Sequence, residues 1–171
     1  RCHLTVEAMA ATPYATGLAC LVEDETELGA AVIDLGAGTT SMAGFERGRL
    51  VHCDAVAGGG APVAMDVARG LTLALSDAGR LKIQHGACVS SPAAERETVV
   101  VVHAGEDGSR PTYLPKAHLT RIIRPRVEEI LELARDRLAA AGYGAVAARR
   151  LVLTGGASQL AGLLELSRAT I

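Results

Sequence analysis

The chain has 171 residues, a formal net charge of −2 and an apolar fraction of 49%, enough for one large or two small packed domains. Basic and acidic residues are interleaved, which argues against an electrostatic nucleic-acid surface, and Phe45, Tyr14, Tyr113 and Tyr143 are the only aromatics, too few for base-stacking platforms. No apolar run approaches the roughly 18 residues of a membrane span, and no signal peptide is visible.

The first predicted element is a helix over Leu4–Val22, rich in Ala and Leu and interrupted at Pro13. The acidic stretch 23–27 reads as a solvated loop. Three strands follow: Ala30–Leu35, Thr40–Phe45 and Leu50–Val56. Short turns join them, as in a meander. Gly58-Gly59-Gly60 then leads into a helix over Val63–Leu75, with Asp66 in its first turn, where a carboxylate favours the helix dipole. A second short helix, Ser76–His85, starts at the plausible cap Ser76. Thr98–His103, with four consecutive valines, reads as a strand. A turn at 105–109 returns Arg110–Leu114 as a hairpin partner. Lys116–Ala141 is a long helix: Leu119, Ile123, Val127, Ile130, Ala134 and Leu138 share one face. Pro125 lies inside it and predicts a kink. Gly142 and Gly144 end it. Leu151–Thr154 is a buried strand, Gly155-Gly156 a turn, and Gln159–Ile171 a terminal helix, with Ser158 as a possible cap. A meander, crossover helices and two glycine turns together give an α/β class.

Chemistry concentrates at the two glycine turns. In Asp34-Leu-Gly-Ala-Gly-Thr-Thr, a strand delivers a carboxylate to its carboxyl end, where open α/β sheets place ligand groups. Gly36 and Gly38 let backbone N–H groups approach anionic oxygens, and Thr39 and Thr40 add hydroxyls. A carboxylate beside phosphates needs a cation between them, so Asp34 implies Mg²⁺, held through water. On residues alone the same stretch is equally a tight hairpin with a capping aspartate. It has neither the lysine of a P-loop nor a Gly-x-Gly-x-x-Gly entering a helix. The second element, Thr154-Gly155-Gly156-Ala157, would let a flat ring or a ribose lie on the backbone, or serve as a plain strand-to-helix turn. Cys2, Cys20, Cys53 and Cys88 form no Cys-x-x-Cys pair and read as small buried thiols in a reducing compartment. The five histidines have no metal-ligand spacing.

Together the two elements carry a resemblance. Asp34 to Thr40 resembles the second phosphate loop of the actin, heat-shock chaperone and sugar-kinase superfamily, and Leu153-Thr-Gly-Gly-Ala resembles its adenosine motif. Within it the chain is most similar to the FtsA family of bacterial cell-division proteins. Residues 21–29, Gly60 to Asp66, Leu81 to Gly86 and Ile122 to Leu131 carry that similarity, and the proline-bearing helix separates this family from its relatives. The resemblance implies an actin-like, RNase H-like nucleotide-binding fold. Residues 1–60 and 125–171 would form subdomain IIA, with 61–124 inserted as IIB. It implies ATP and Mg²⁺ as ligands, with at most weak ATPase activity. Asp34, Gly36, Gly38, Thr39 and Thr40 would face the phosphates, Gly60 the ribose and phosphates, Lys82 the adenine, and Gly155 and Gly156 the adenosine. The implied function is a polymerising protein that tethers FtsZ filaments to the cytoplasmic face of the inner membrane at the septum and recruits later division proteins. Arg126 is the candidate contact for the FtsZ tail. The alternative is another ATPase of the superfamily, of pilus-assembly or chaperone type. Ala37, Ser41, Ala64 and Gly79 depart from the family's usual residues and lower the expected nucleotide affinity. The start at Arg1, the lack of a first phosphate loop and the lack of a membrane helix lead us to expect a piece of a longer protein.

Overall fold

The computed structural model describes residues 3–103 and 110–171; the turn expected at 105–109 lies outside them. In chain order the elements are α1 (Thr12–Cys20), α2 (Glu23–Leu28), β1 (Ala30–Leu35), β2 (Thr39–Glu46), β3 (Arg49–Ala57), α3 (Gly60–Leu71), α4 (Leu75–His85) and α5 (Pro92–Arg96). Then follow β4 (Thr98–His103), β5 (Arg110–Pro115), α6 (Lys116–Ala140), α7 (Gly144–Ala147), β6 (Leu151–Thr154) and α8 (Leu163–Thr170). The main sheet has the order β3-β2-β1-β6. The meander β1-β2-β3 is antiparallel, and β6 returns parallel to β1, setting Asp34 opposite Thr154. β4 and β5 form a separate antiparallel hairpin.

Both faces of the main sheet are covered, which is why β1 and β2 are buried nearly throughout rather than on alternate residues. Neighbouring residues on β2 show the two coverings. Phe45 packs on Gly17 of α1, where any side chain would strike its ring, while Gly44 meets the ring of Tyr143 just beyond α6. Because successive strand residues point to opposite faces, Ala31, Ile33 and Leu35 join the main core under α6. Asp34 accordingly faces α1. The buried stripe of α6 is the one its spacing predicts: Leu119, Ile123, Val127, Ile130, Ala134 and Leu138 are all buried. Each of the Leu, Ile and Val side chains among them contributes about 1.5–3 kcal/mol relative to exposure. The helix continues through Pro125. The ring has no N–H to donate, so the carbonyl of Arg121 lacks its usual intrahelical partner.

Several boundaries differ from expectation. The first helix begins at Thr12, not Leu4, because Pro13 at its opening has the dihedral and the missing N–H that suit a helix start. Residues 3–11 are exposed and irregular. The acidic loop expected at 23–27 is the helix α2. Glu23, Asp24 and Glu25 fill its first turn, favourable to the dipole, and the Glu25 carboxylate accepts the N–H of Val22 at 3.1 Å. α3 starts at Gly60 and ends at Leu71, so Asp66 lies past the first turn. Ala74, not Ser76, precedes α4. The short α5 was not anticipated; Pro92 at its first position is the available signal. The terminal helix is shorter than expected: a tight turn spans Gly156–Gln159, where the Ser158 hydroxyl bonds the Gly155 carbonyl, and α8 begins after Gly162 at φ 76°. Of the described cysteines, Cys88 is buried, but Cys20 is half-buried and Cys53 exposed, the latter on the partly solvated strand β3.

Candidate functional site

The glycine loop after β1 is tied down from two sides. Within it, the Gly36 N–H donates to the Thr39 carbonyl at 3.0 Å. From outside, the first residues of α3 reach back: the Gly60 N–H donates to the Gly36 carbonyl at 2.9 Å and the Ala61 N–H to the Ala37 carbonyl at 2.8 Å. The Gly58 N–H donates to Gly38 at 3.0 Å, and the buried Thr40 hydroxyl donates to the Gly58 carbonyl at 3.0 Å. The approach is close enough that a Cβ at Gly59 would lie 2.7 Å from the Ala37 oxygen. Thr40 is therefore a brace between the start of β2 and the turn that leads into α3 rather than a free donor. Thr39 and Gly38 are exposed, and the Cβ position of Gly38 opens onto space.

The second glycine turn meets the first directly. Gly155 has φ 86° and ψ 166°, a region open essentially to glycine alone. A Cβ there would collide with Asp34 Oδ1 and lie 2.6 Å from the Leu35 carbonyl. Only a bare backbone lets the β6 turn pass the aspartate. On its other side Asp34 Oδ2 accepts the Thr16 hydroxyl of α1 at 3.0 Å.

Beside the loop lies an open, largely apolar cleft of about 380 Å³. Gly36, Gly60, Lys82 and Gly156 of the expected site line it, together with Ala37, Ala61, Ile83, Ala157 and Leu160. The Lys82 ammonium donates to the Gly60 carbonyl at 2.8 Å, and burial lowers its pKa from the ordinary lysine value. It is a cation at the wall of a cleft between two glycine turns, the arrangement that suits an anionic ligand with a flat apolar end. Four expected residues, Gly38, Thr39, Thr40 and Gly155, do not line this cleft, nor does Asp34, which lies behind the loop against α1. Sequence reasoning missed Ile83 and Leu160, the apolar walls, and Thr16, the hydroxyl on Asp34. Ile83 is 78% exposed in mid-helix beside Lys82, and an isoleucine so placed is a usable signal.

Arg126 stands elsewhere. Its guanidinium donates to Asp66 of α3 at 2.6 Å and to Glu129 at 2.6 Å. The Asp66 hydrogen bond first, then the charges of Asp66 and Glu129, raise its pKa further. It joins α3 to α6 and is not an unpaired cation. Among the described residues no helix is long and apolar enough to cross a membrane.

Comparison with known proteins bears on the family and the fold. Residues 31–171 match the family model for cell division protein FtsA. The chain is 53% identical over 169 residues to the cell division protein FtsA of Rhizobium meliloti (strain 1021), covering 98% of this chain and 38% of that protein. It is 34% identical over 170 residues to that of Escherichia coli (strain K12), covering 95% of this chain and 40% of the relative. It thus spans about two fifths of the length of the relatives it matches. Among solved structures, MreB5 of Spiroplasma citri bound to ADP superimposes with a TM-score of 0.73 at 16% identity, over 88% of this chain and 48% of that one. The MamK double helical filament does so with 0.67 at 18%, over 92% and 49%. Such distant likenesses establish the actin-like fold alone, but the family model reaches across both glycine turns and every element from β1 onward: the chain belongs to the FtsA family of cell-division proteins.

Proposed function

We propose that this chain supplies one wall of an ATP–Mg²⁺ site in an actin-like division protein. The observation that carries this is the single cleft joining Gly36, Gly60, Lys82 and Gly156 from four separate stretches of chain. The phosphates would lie along the Gly36–Gly38 loop, the ribose near Gly60, and the base in the apolar slot beside Lys82 and Gly156. Asp34 would hold Mg²⁺ through water, and the ion would supply neutralisation of the phosphate charge. The donor set is hard oxygen, which fits Mg²⁺. Lys82 adds a point charge, and Gly155 keeps the second turn close to Asp34.

The whole protein's role is proposed by membership of the family: it assembles into filaments and tethers FtsZ to the inner membrane at the septum. The FtsZ tail would dock on the 61–124 side, near Arg126. A pilus-assembly or chaperone-type ATPase shares the fold, but no feature of this chain favours it. With one wall of the cleft present, this chain should bind ATP weakly and not turn it over. Isothermal titration with Mg-ATP tests this: dissociation constants above the low-micromolar range are expected, and tighter binding would overturn it. A pull-down with an FtsZ C-terminal peptide should capture the folded chain, and failure would count against the docking assignment.

A further inference from the structure

Two side chains of α1 touch the ends of two strands. Thr16 and Cys20 are four residues apart and so share one helix face. Thr16 donates its hydroxyl to Asp34 Oδ2 at 3.0 Å, and the Cys20 thiol lies 3.6 Å from the Thr154 hydroxyl. Asp34 and Thr154 are themselves register partners across β1 and β6. One helical turn thus grips the last polar pair of the parallel strands. Gly17, between them in sequence, is packed on Phe45, which fixes the depth of the helix on the sheet. None of this is needed to close the core beneath α6, which lies on the opposite face.

A carboxylate at a strand end turns freely unless something holds it. Asp34 is confined at both oxygens: Oδ2 accepts the Thr16 hydroxyl, and Oδ1 lies close beside Gly155, where a side chain would collide with it. A carboxylate has about four lone-pair sites, so one hydroxyl leaves room for a hydrated cation while fixing the plane of the group. We propose that Thr16 is the positioning residue of the cation site: it orients Asp34 so that the carboxylate receives the water shell of a phosphate-bound divalent ion. Cys20 and Thr154 keep α1 in place for that task. The proposal rests on the reading of the Asp34 loop as an ATP–Mg²⁺ site and adds to it a residue that the loop motif does not contain. Partners of this kind, hydrogen-bonded behind a metal-binding carboxylate, commonly change metal affinity when removed.

The test is a calorimetric titration of the 171-residue chain with ATP to millimolar concentration, once with excess Mg²⁺ and once with EDTA. The readout is the ratio of the two affinities. Wild type should bind more tightly with Mg²⁺, and Asp34→Asn should lose that difference. Thr16→Val preserves shape and removes the hydrogen bond; it should shrink the Mg²⁺-dependent ratio by about tenfold and leave binding in EDTA unchanged. Thr16→Ser should restore the ratio. A purely structural role would instead weaken binding in both conditions or lower the melting temperature of Thr16→Val and Thr16→Ser alike. If wild type and Asp34→Asn differ but Thr16→Val matches wild type, the role of Thr16 is overturned and the site reading stands. If wild type shows no Mg²⁺ dependence, the site reading falls and the proposal falls with it.

Discussion

At the residue scale, the sharpest constraint is Gly155, whose backbone conformation and nearness to Asp34 each exclude a side chain. Gly155→Ala should cost at least about 1–3 kcal/mol from the backbone alone, and chemical denaturation would measure it. On the proposed reading of the site, the displacement of Asp34 should also abolish the Mg²⁺ dependence of nucleotide titration. Cys88 offers a second test. Burial pushes its thiol up to about 11, against an ordinary value of 9.0, with Arg124 opposing weakly. Because the folded state keeps its proton longer, this contribution is complete below about pH 9 and is lost as pH rises towards 11. Its ceiling is about 3 kcal/mol. Cys88→Ala should therefore show a smaller fall in unfolding free energy across that alkaline window than wild type.

At the element scale, α3 and α6 are linked by the Asp66–Arg126 pair, with side chains 22% and 36% exposed. Partial exposure screens it, so a double-mutant cycle with Asp66→Ala and Arg126→Ala should give a coupling of only about 0.5–1 kcal/mol. An acidic tail that used Arg126 would have to compete with or share these carboxylates. The elements also show what was legible in the sequence. β1 and α6 were readable because burial on both faces, or on one helical stripe, writes itself directly into apolar spacing. α2 was not, because its stabilisation comes from three carboxylates in its first turn and a Glu25 cap, and the same letters describe a solvated loop. The start of α3 at Gly60 was hidden because its first N–H groups bond loop carbonyls 24 residues earlier in the sequence, at Gly36 and Ala37. At the site, Asp34, Gly36, Gly60, Lys82 and Gly156 could be picked from two glycine motifs and their resemblance. Thr16 could not, since a lone threonine after a proline carries no local pattern; only the packing of α1 brings it to Asp34.

At the scale of the whole molecule, one core runs from the main sheet to the hairpin. Ile33 and Met42 belong to the same buried cluster as Val99 and Val101, with Ile123, Val127 and Ile130 of α6 also in it. The two sheets should therefore unfold together. Far-ultraviolet circular dichroism and tyrosine fluorescence are expected to report coincident transitions, and Val101→Ala should lower the midpoint of both probes equally. The bonds between α3 and the glycine loop have a consequence for timing. Gly60 and Ala61 fasten to Gly36 and Ala37 by backbone hydrogen bonds that need no ligand to form, so the ordering entropy of that loop is met during folding rather than on binding. A nucleotide bound as proposed would then arrive at a surface already in shape. Its capture should follow a single concentration-dependent phase in stopped-flow, without a slow closing step, and the amides of Gly60 and Ala61 should resist hydrogen exchange before any ligand is added.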